Sequence, residues 1–332
     1  MSGPARDRRR FLSWLAMGSG SFLINRRTGL AHPSAQRQGT RKTTFTFKRI
    51  KGLDIKADVL RPDDDVSRPV CVWIHGGALM KGHRENLHQP AFMLLEEGYI
   101  IVSIDYRLAP ETTLPGILQD VTDACAWVRS QGDELFQAET QRLALAGASA
   151  GGYLALAAGF LLDPPPAAVV SVFGYGDLVG RWCTTPSIDP SHYETNMSAE
   201  DASSLAVGPP VADERDRRYD ILPYYNYYRQ QGTWPRLVTG WDPLKEPEKY
   251  SPYLPVYNVN RRYPPTLLIH GEVDPDVPVE QSRTMAEKFK EHDVVHRLIT
   301  IPGAEHGLRG GDPDQVEQAY RAAVRFVNQF IK

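Results

Sequence analysis

Cysteine is scarce in this chain: three of its 332 residues are Cys, which allows at most one disulfide. The sequence has neither a CxxC pair nor a cluster of Cys with His, so a structural zinc site is not expected. Cys71 and Cys125 lie in apolar stretches, where we expect buried thiols that pack as small hydrophobic groups. The fold must therefore depend on an apolar core, and a hydrophobic fraction of 42% is sufficient for one.

A strong excess of one charge is also missing. The chain has 38 Lys and Arg against 40 Asp and Glu, for a net charge of −2, so no nucleic-acid partner is expected. Several arginines fall within residues 1–35, which leaves the rest of the chain acidic. An acidic body binds polyanions poorly.

Long apolar runs are scarce as well, so we do not expect a permanent membrane anchor. The N-terminal run, residues 11–24, has about 14 residues, whereas a membrane span needs about 20. Arg8, Arg9 and Arg10 precede it directly, a pattern similar to a bacterial twin-arginine signal. We expect residues 1–35 to be such a signal and the protein to be exported, periplasmic or secreted. The alternative is a basic tail on a cytoplasmic protein.

After residue 40, short apolar segments alternate with amphipathic ones. Strand-like runs occur at residues 70–74, 99–104, 143–146, 168–173, 266–269 and 297–301. Helical spacing is found at residues 86–97, 118–131, 149–162, 280–292 and 313–331. Strands that are apolar on both faces and alternate with helices predict a mostly parallel sheet with helices on both faces. Period-2 alternation at residues 43–50, followed by 55–60, predicts an antiparallel hairpin at its edge.

A long interval, about 174–265, interrupts this alternation. We interpret it as a cap inserted into an α/β domain that spans residues 40–332, because a structureless loop of that length is improbable. Ser198 can cap a helix that runs to about Ala206, and Asp213 can cap a second one, kinked at Pro223. The interval is rich in aromatic residues, which either pack within the cap or stack on a sugar: Trp182, Tyr224, Tyr225, Tyr227, Tyr228, Trp234 and Trp241.

The segment Gly147-Ala148-Ser149-Ala150-Gly151 lies between a predicted strand and a predicted helix. Small residues two positions before and after the serine allow a sharp turn there. Such a turn exposes the Ser149 hydroxyl at the end of the sheet in a strained conformation. Ser149 is therefore the candidate nucleophile.

The segment His75-Gly76-Gly77-Ala78 directly follows another predicted strand. Backbone N–H groups that point at an oxyanion stabilise the transition state of acyl transfer, and glycines permit close approach. We expect the donors to be the N–H of Ala150 and N–H groups of Gly76–Ala78, with Gly77 and Ala78 as first choices. His75 is expected to brace the loop.

A serine nucleophile needs a base and an acid that orients the base. His306 lies in a Gly-flanked loop after the last predicted strand, so it should reach the same sheet edge as Ser149. The loop after the preceding strand offers three acids: Glu272, Asp274 and Asp276.

These motifs together resemble the hormone-sensitive-lipase-like esterases of the α/β-hydrolase fold, in which a segment like Asp105-Tyr-Arg-Leu-Ala-Pro-Glu111 also occurs. The segment His270-Gly-x-x-Asp-x-x-Val-Pro278 also resembles the catalytic domain of prolyl oligopeptidases. The resemblance implies Asp274 as the acid, with Asp276 and Glu272 as alternatives, and a supporting role for residues 105–107. The chain departs from many such relatives in having Ala78 where a third glycine is usual, but a backbone N–H survives that change.

The sequence therefore predicts a serine carboxylesterase that acts through Ser149, His306 and Asp274 and needs no cofactor or metal. Small acyl esters of carbohydrate, acetyl or feruloyl, are the expected substrates. Alternatives are a serine peptidase of the prolyl-oligopeptidase type and a non-catalytic binding protein on the same fold. The expected partner is a small-molecule or carbohydrate ester, without nucleic acid and without a stable membrane anchor.

Overall fold

The computed structural model describes residues 39–204 and 208–332. Eight strands form one sheet in the order β1-β2-β4-β3-β5-β6-β7-β8. β1 pairs antiparallel with β2, and β2 with β4, while all further pairs are parallel. The strands are β1 Thr40–Ile50, β2 Leu53–Pro62, β3 Arg68–Ile74, β4 Ile100–Ile104, β5 Ala138–Ala148, β6 Ala168–Val172, β7 Thr266–Gly271 and β8 His296–Ile301.

Helices cover both faces of this sheet, as predicted. They are α1 Gln89–Glu96, α2 Leu114–Phe136, α3 Ala150–Leu161, α4 Arg181–Thr184, α5 Ala199–Ser204, α6 Leu222–Gln230, α7 Trp234–Thr239, α8 Pro247–Tyr250, α9 Pro255–Asn258, α10 Glu280–Glu291 and α11 Pro313–Ile331. None of the helices in the described ranges combines the length and apolar character needed to cross a bilayer. The predicted signal, residues 1–35, lies outside the described residues.

The sheet divides two apolar cores, and the strand pattern explains why. Val70 and Val72 of β3 point into a core shared with α2, α3 and α10. Cys71 and Trp73, the alternate residues, point into a second core with α1 and α11. Successive side chains of a strand point to opposite faces, so a strand buried on both faces must be apolar throughout.

Between β6 and β7 the chain forms no strand within the described residues, and its helices are α4 to α9. We call residues 173–265 the insert. The Ser198 hydroxyl accepts a hydrogen bond from the backbone N–H of Asp201 at 3.0 Å, as expected for the N-cap of α5. The predicted end of that helix, near Ala206, falls in residues that are not described.

The second predicted helix of the insert is present as α6, but Asp213 does not cap it and Pro223 does not kink it. Asp213 caps a single turn of 3-10 helix, Glu214–Asp216, by accepting from the N–H of Arg215 at 2.9 Å. Pro223 does not kink a helix but lies in the first turn of α6. Proline is well placed there because its missing N–H would have had no partner in the helix.

Candidate active site

Ser149 occupies the sharp turn between β5 and α3. Its backbone has φ 55° and ψ −122°, which L-residues adopt rarely. The flanking glycines make this turn possible: a Cβ on Gly151 would lie 2.0 Å from the carbonyl oxygen of Ile74, and one on Gly147 would lie 2.3 Å from that of Gly151. Close packing of the turn against the end of β3 thus holds Ser149 at the carboxyl edge of the sheet.

Ser149, His306 and Asp274 form one hydrogen-bonded chain. His306 Nε2 lies 3.1 Å from Ser149 Oγ, and His306 Nδ1 lies 2.7 Å from Asp274 Oδ2. The side chain of Asp274 is fully buried, and its Oδ1 accepts from the backbone N–H groups of Asp276 and Val277 at 3.0 and 2.8 Å. The arrangement has the geometry of a nucleophile, a base and a group that orients the base.

The electrostatics of these three hydrogen-bonded residues favour an ionised Asp274 beside His306. Burial alone would raise the pKa of Asp274, but hydrogen bonds from His270 and His306 outweigh it, and the pKa is held far below its usual value. Burial lowers the pKa of His306, whereas the hydrogen bond to Asp274 and the charges of Asp276 and Asp274 raise it, with a net increase. A base with a raised pKa accepts a proton from serine more readily.

The three candidate acids occupy different places. Asp274 contacts Nδ1 of His306, the nitrogen that faces away from Ser149. Asp276 lies on the other side of the ring, with Oδ2 3.9 Å from Nε2. Glu272 accepts from the Thr300 hydroxyl at 2.7 Å at the surface. Of the three, Asp274 therefore has the contact that an orienting acid requires.

The loop after β3 lies against Ser149. A Cβ on Gly76 would be 3.2 Å from that of Ser149, and Gly77 has φ 112°. Ala78 adopts φ 55°, in the left-handed region that favours glycine. In the described part of the chain, apart from the regular bonds within helices and strands, no backbone oxygen accepts a hydrogen bond from the N–H groups of Gly76, Gly77, Ala78 or Ala150. Free N–H groups beside a serine hydroxyl can receive an oxyanion.

His75 packs under this loop. Its ring is fully buried, stacks on Tyr106 at a centroid distance of 4.2 Å, and has Nδ1 2.7 Å from the Gly76 carbonyl oxygen. Burial lowers its pKa to about 4, so the ring is neutral near pH 7. These contacts are those of a bracing residue.

The segment at residues 105–111 supports the site from below. Arg107 pairs with Asp120 through Nε at 2.6 Å. Glu111 forms a two-pronged pair with Arg217 of the insert, at 2.8 and 2.6 Å, and accepts from the Tyr219 hydroxyl at 2.8 Å. The insert is thereby attached to the sheet domain by a buried ion pair.

A cavity of about 540 Å³ opens above Ser149 and His306. The insert contributes a group of aromatic side chains to its wall, namely Tyr175, Trp182, Tyr225 and Trp234. Trp234 is fixed by donating its Nε1–H to the Ala78 carbonyl oxygen at 3.1 Å. The cavity therefore offers flat aromatic side chains in the same space as the Ser149 hydroxyl.

A buried polar cluster completes the wall. Arg229 Nη2 lies 3.1 Å from Asp276 Oδ1, and His192 Nε2 lies 3.6 Å from the same oxygen. Ligand atoms of Asp189, His192 and Asp276 lie within 4.8 Å of one another, which is close enough to hold a metal ion. The guanidinium against Asp276 offsets the charge of that carboxylate, which disfavours a cation there. Sequence reasoning missed Arg229 and His192, because no local motif marks them.

The chain is similar to known esterases and hydrolases. Residues 55–165 match the BD-FAE family model, and residues 218–332 match that of the prolyl oligopeptidase family. Esterase LipC of Mycobacterium tuberculosis is 30% identical over 82% of this chain, and the chain spans 61% of that relative's length. Several other curated relatives are much longer, and the chain spans 14% or less of their length.

Solved structures give the same fold. A bacterial heroin esterase aligns with a TM-score of 0.66 and 21% identity, over 90% of this chain and 87% of the other. An acetyl ester-xyloside bifunctional hydrolase from Caldicellulosiruptor lactoaceticus aligns with a TM-score of 0.64 and 18% identity, over 90% and 100%. The chain thus has the α/β-hydrolase fold, with a mostly parallel sheet and helices on both faces, and the prediction of fold class is confirmed.

Proposed function

We propose that this protein is a serine carboxylesterase. The observation that carries the proposal is the hydrogen-bonded chain from Ser149 through His306 to Asp274, placed at a cavity beside free backbone N–H groups. The similarity to Esterase LipC supports it. The insert is proposed to act as the cap that walls this cavity.

The proposed reaction uses this geometry. Ser149 Oγ attacks the ester carbonyl carbon while its proton passes to His306 Nε2. The N–H groups of Ala150 and of the loop formed by Gly76, Gly77 and Ala78 receive the oxyanion. Nε2 then returns the proton to the leaving alcohol oxygen, and an acyl-enzyme remains. Water then attacks the acyl carbon while its proton passes to His306 Nε2. The bond from that carbon to Ser149 Oγ breaks, Oγ takes the proton back from Nε2, and the acid is released.

The substrates proposed are small acyl esters, acetyl or feruloyl, of carbohydrate. The aromatic wall of the cavity suits sugar rings and aromatic acids, and a structural neighbour is described as an acetyl ester-xyloside hydrolase. Export through the Arg8-Arg9 signal, which would bring the enzyme to such material, remains a prediction.

A serine peptidase is the second candidate, because residues 218–332 match the prolyl oligopeptidase family. A fluorophosphonate probe should label Ser149, and p-nitrophenyl acetate should be cleaved faster than the butyrate and far faster than the palmitate. Efficient cleavage of prolyl or alanyl amides with negligible ester hydrolysis would favour the peptidase. Absence of labelling and of turnover with every substrate would leave a binding protein.

A further inference from the structure

Asp276 presents to the cavity an oxygen that the Ser149–His306–Asp274 chain does not use. We propose that Asp276 Oδ2 accepts a hydrogen bond from a hydroxyl on the alcohol part of the substrate, on the carbon next to the scissile ester. The site would then select monoesters of diols and sugars over esters of simple alcohols. This inference rests on the proposed esterase function and names its substrate class.

The two oxygens of Asp276 have different surroundings. Oδ1 faces Arg229 Nη2 at 3.1 Å and His192 Nε2 at 3.6 Å. No hydrogen bond reaches Oδ2 from the part of the chain that the structure describes, and His306 Nε2 lies 3.9 Å from it. The Tyr225 hydroxyl also interacts with the Asp276 carboxylate. Asp276 lines the cavity and keeps 18% of its side chain exposed, so its carboxylate is accessible to a ligand in the cavity.

The cluster holds this carboxylate in a fixed orientation. Arg229 is 3% exposed, lies over the rings of Trp182 and Trp234 at 5.3 and 5.5 Å, and also donates to the Asp276 carbonyl oxygen at 3.0 Å. Burial would raise the pKa of Asp276, but the charges of Arg229, His306 and His192 lower it. Asp276 is therefore ionised, which makes Oδ2 a strong acceptor.

The position of Oδ2 points to the alcohol part of the ester. The leaving oxygen receives its proton from His306 Nε2, so it must come within hydrogen-bonding distance of that atom. Oδ2 lies on the same side of the ring, 3.9 Å from Nε2. A hydroxyl on the neighbouring carbon can therefore reach Oδ2 while the leaving oxygen stays at Nε2.

The charges of the cavity favour a neutral donor. Lys81, Arg229 and Arg309 line it, against Asp276 and Glu214. A substrate ammonium group would be repelled by this excess of positive charge, and a substrate carboxylate would be repelled by Asp276 itself. A methoxy group in place of the hydroxyl would leave an ionised acceptor unpaired and partly buried, which is costly.

The test compares 2-hydroxyethyl acetate with 2-methoxyethyl acetate, which deliver the same acetyl group. We expect the wild-type enzyme to favour the hydroxyl ester at least about tenfold in kcat/KM, because a site built to bind a polar group discriminates strongly against its absence. In Asp276→Asn the amide oxygen can retain Arg229, and the NH2 group then faces the cavity. The hydroxyl-to-methoxy ratio should fall to about one or invert, because a donor has replaced the acceptor.

The control is Glu272→Gln, which removes an exposed acid of the same loop and should keep the wild-type ratio. Asp276→Glu, which keeps the charge but displaces the oxygens, should also lower the ratio and serves if Asp276→Asn does not fold. A wild-type ratio near one, a ratio unchanged in either Asp276 variant, or a preference for the 2-ammonioethyl ester would overturn the inference. Failure of the esterase assignment would differ, since neither acetate would then be cleaved.

Discussion

Ser149 is the proposed nucleophile, and its replacement tests that role most directly. Replacement by Ala removes one hydroxyl from a turn whose conformation is set by the surrounding backbone, so the fold should persist. We expect kcat for p-nitrophenyl acetate to fall by a factor of about 10⁴–10⁶. Steady-state kinetics and thermal unfolding would measure both effects. His306→Ala should have a similar effect, and the double variant should be scarcely worse, because the three residues act as a unit. Ordinary turnover by pure Ser149→Ala protein would contradict the assignment.

In the proposed mechanism, His306 determines the acidic limb of the pH profile. Its imidazole must be neutral to accept the Ser149 proton, and the net effect of Asp274 and Asp276 raises its pKa above the usual 6.5. The value of kcat/KM should therefore fall with decreasing pH, with a midpoint above 6.5. In Asp274→Asn the midpoint should move to lower pH along with a large loss of rate. A profile flat from pH 8 to pH 5 would be inconsistent with His306 as the base.

Residues in local motifs could be predicted from the sequence, and residues that act across the fold could not. Ser149 and the Gly76–Ala78 loop follow strands within a few positions, so pattern alone placed them at the sheet edge. The sequence offered three acids in one loop without a local rule to rank them, and the family resemblance was needed to choose Asp274. Arg229 lies in the insert, far along the chain from Asp276, and nothing in the sequence indicates their contact.

The turn between β5 and α3 requires glycine for steric reasons. A Cβ on Gly151 would lie 2.0 Å from the Ile74 carbonyl oxygen and 2.5 Å from that of His75, so backbone would have to move. Gly151→Ala should lower the free energy of unfolding by about 1–3 kcal/mol, the range for overpacked sites, and displace Ser149 from His306. Denaturant titration and kcat/KM measure the two effects. Gly303→Ala is a control for strain alone, since it has a positive φ but open space around it.

The insert is attached to the sheet domain through Glu111 and Arg217. Both side chains are at most 2% exposed, so removal of one partner leaves a buried charge. Glu111→Ala should cost about 3–5 kcal/mol of unfolding free energy, and it should raise KM because the insert walls the cavity. Chemical denaturation and kinetics would test this. Glu317→Gln, which breaks an exposed pair with Arg321 on α11, should change neither quantity measurably.

At the scale of elements, periodicity predicted the sheet domain well and the insert poorly. Strands buried on both faces and long amphipathic helices carry a strong signal, and β3, β5 and α11 were found where that signal lay. The insert consists of short helices, some only four residues long, whose order depends on tertiary contacts. The prediction of a kink at Pro223 failed because proline can either interrupt a helix or begin one. Only the position of the preceding turn distinguishes these two cases.

At the scale of the whole molecule, the three cysteines report whether the insert opens separately from the sheet domain. Each lies in a different part: Cys71 in β3, Cys125 in α2 and Cys183 in α4 of the insert, and all three are free and buried. Burial raises the pKa of Cys71 and Cys125 to about 12 and also raises that of Cys183, so none of the three thiols should react while the protein is folded. Reaction then requires opening of the surrounding structure.

Cys183 packs in the same core as Cys125, and Arg217 ties the insert to Glu111, so we expect the insert and sheet domain to open together. Iodoacetamide labelling at low denaturant, followed by peptide mass spectrometry, measures the free energy of the opening that exposes each thiol. We expect the same value for all three thiols. Glu111→Ala should break this equality by exposing Cys183 first, whereas Glu317→Gln should not. Rapid labelling of Cys183 in the wild type, with Cys71 and Cys125 protected, would mean that the insert opens independently, and substrate entry could then be limited by that motion.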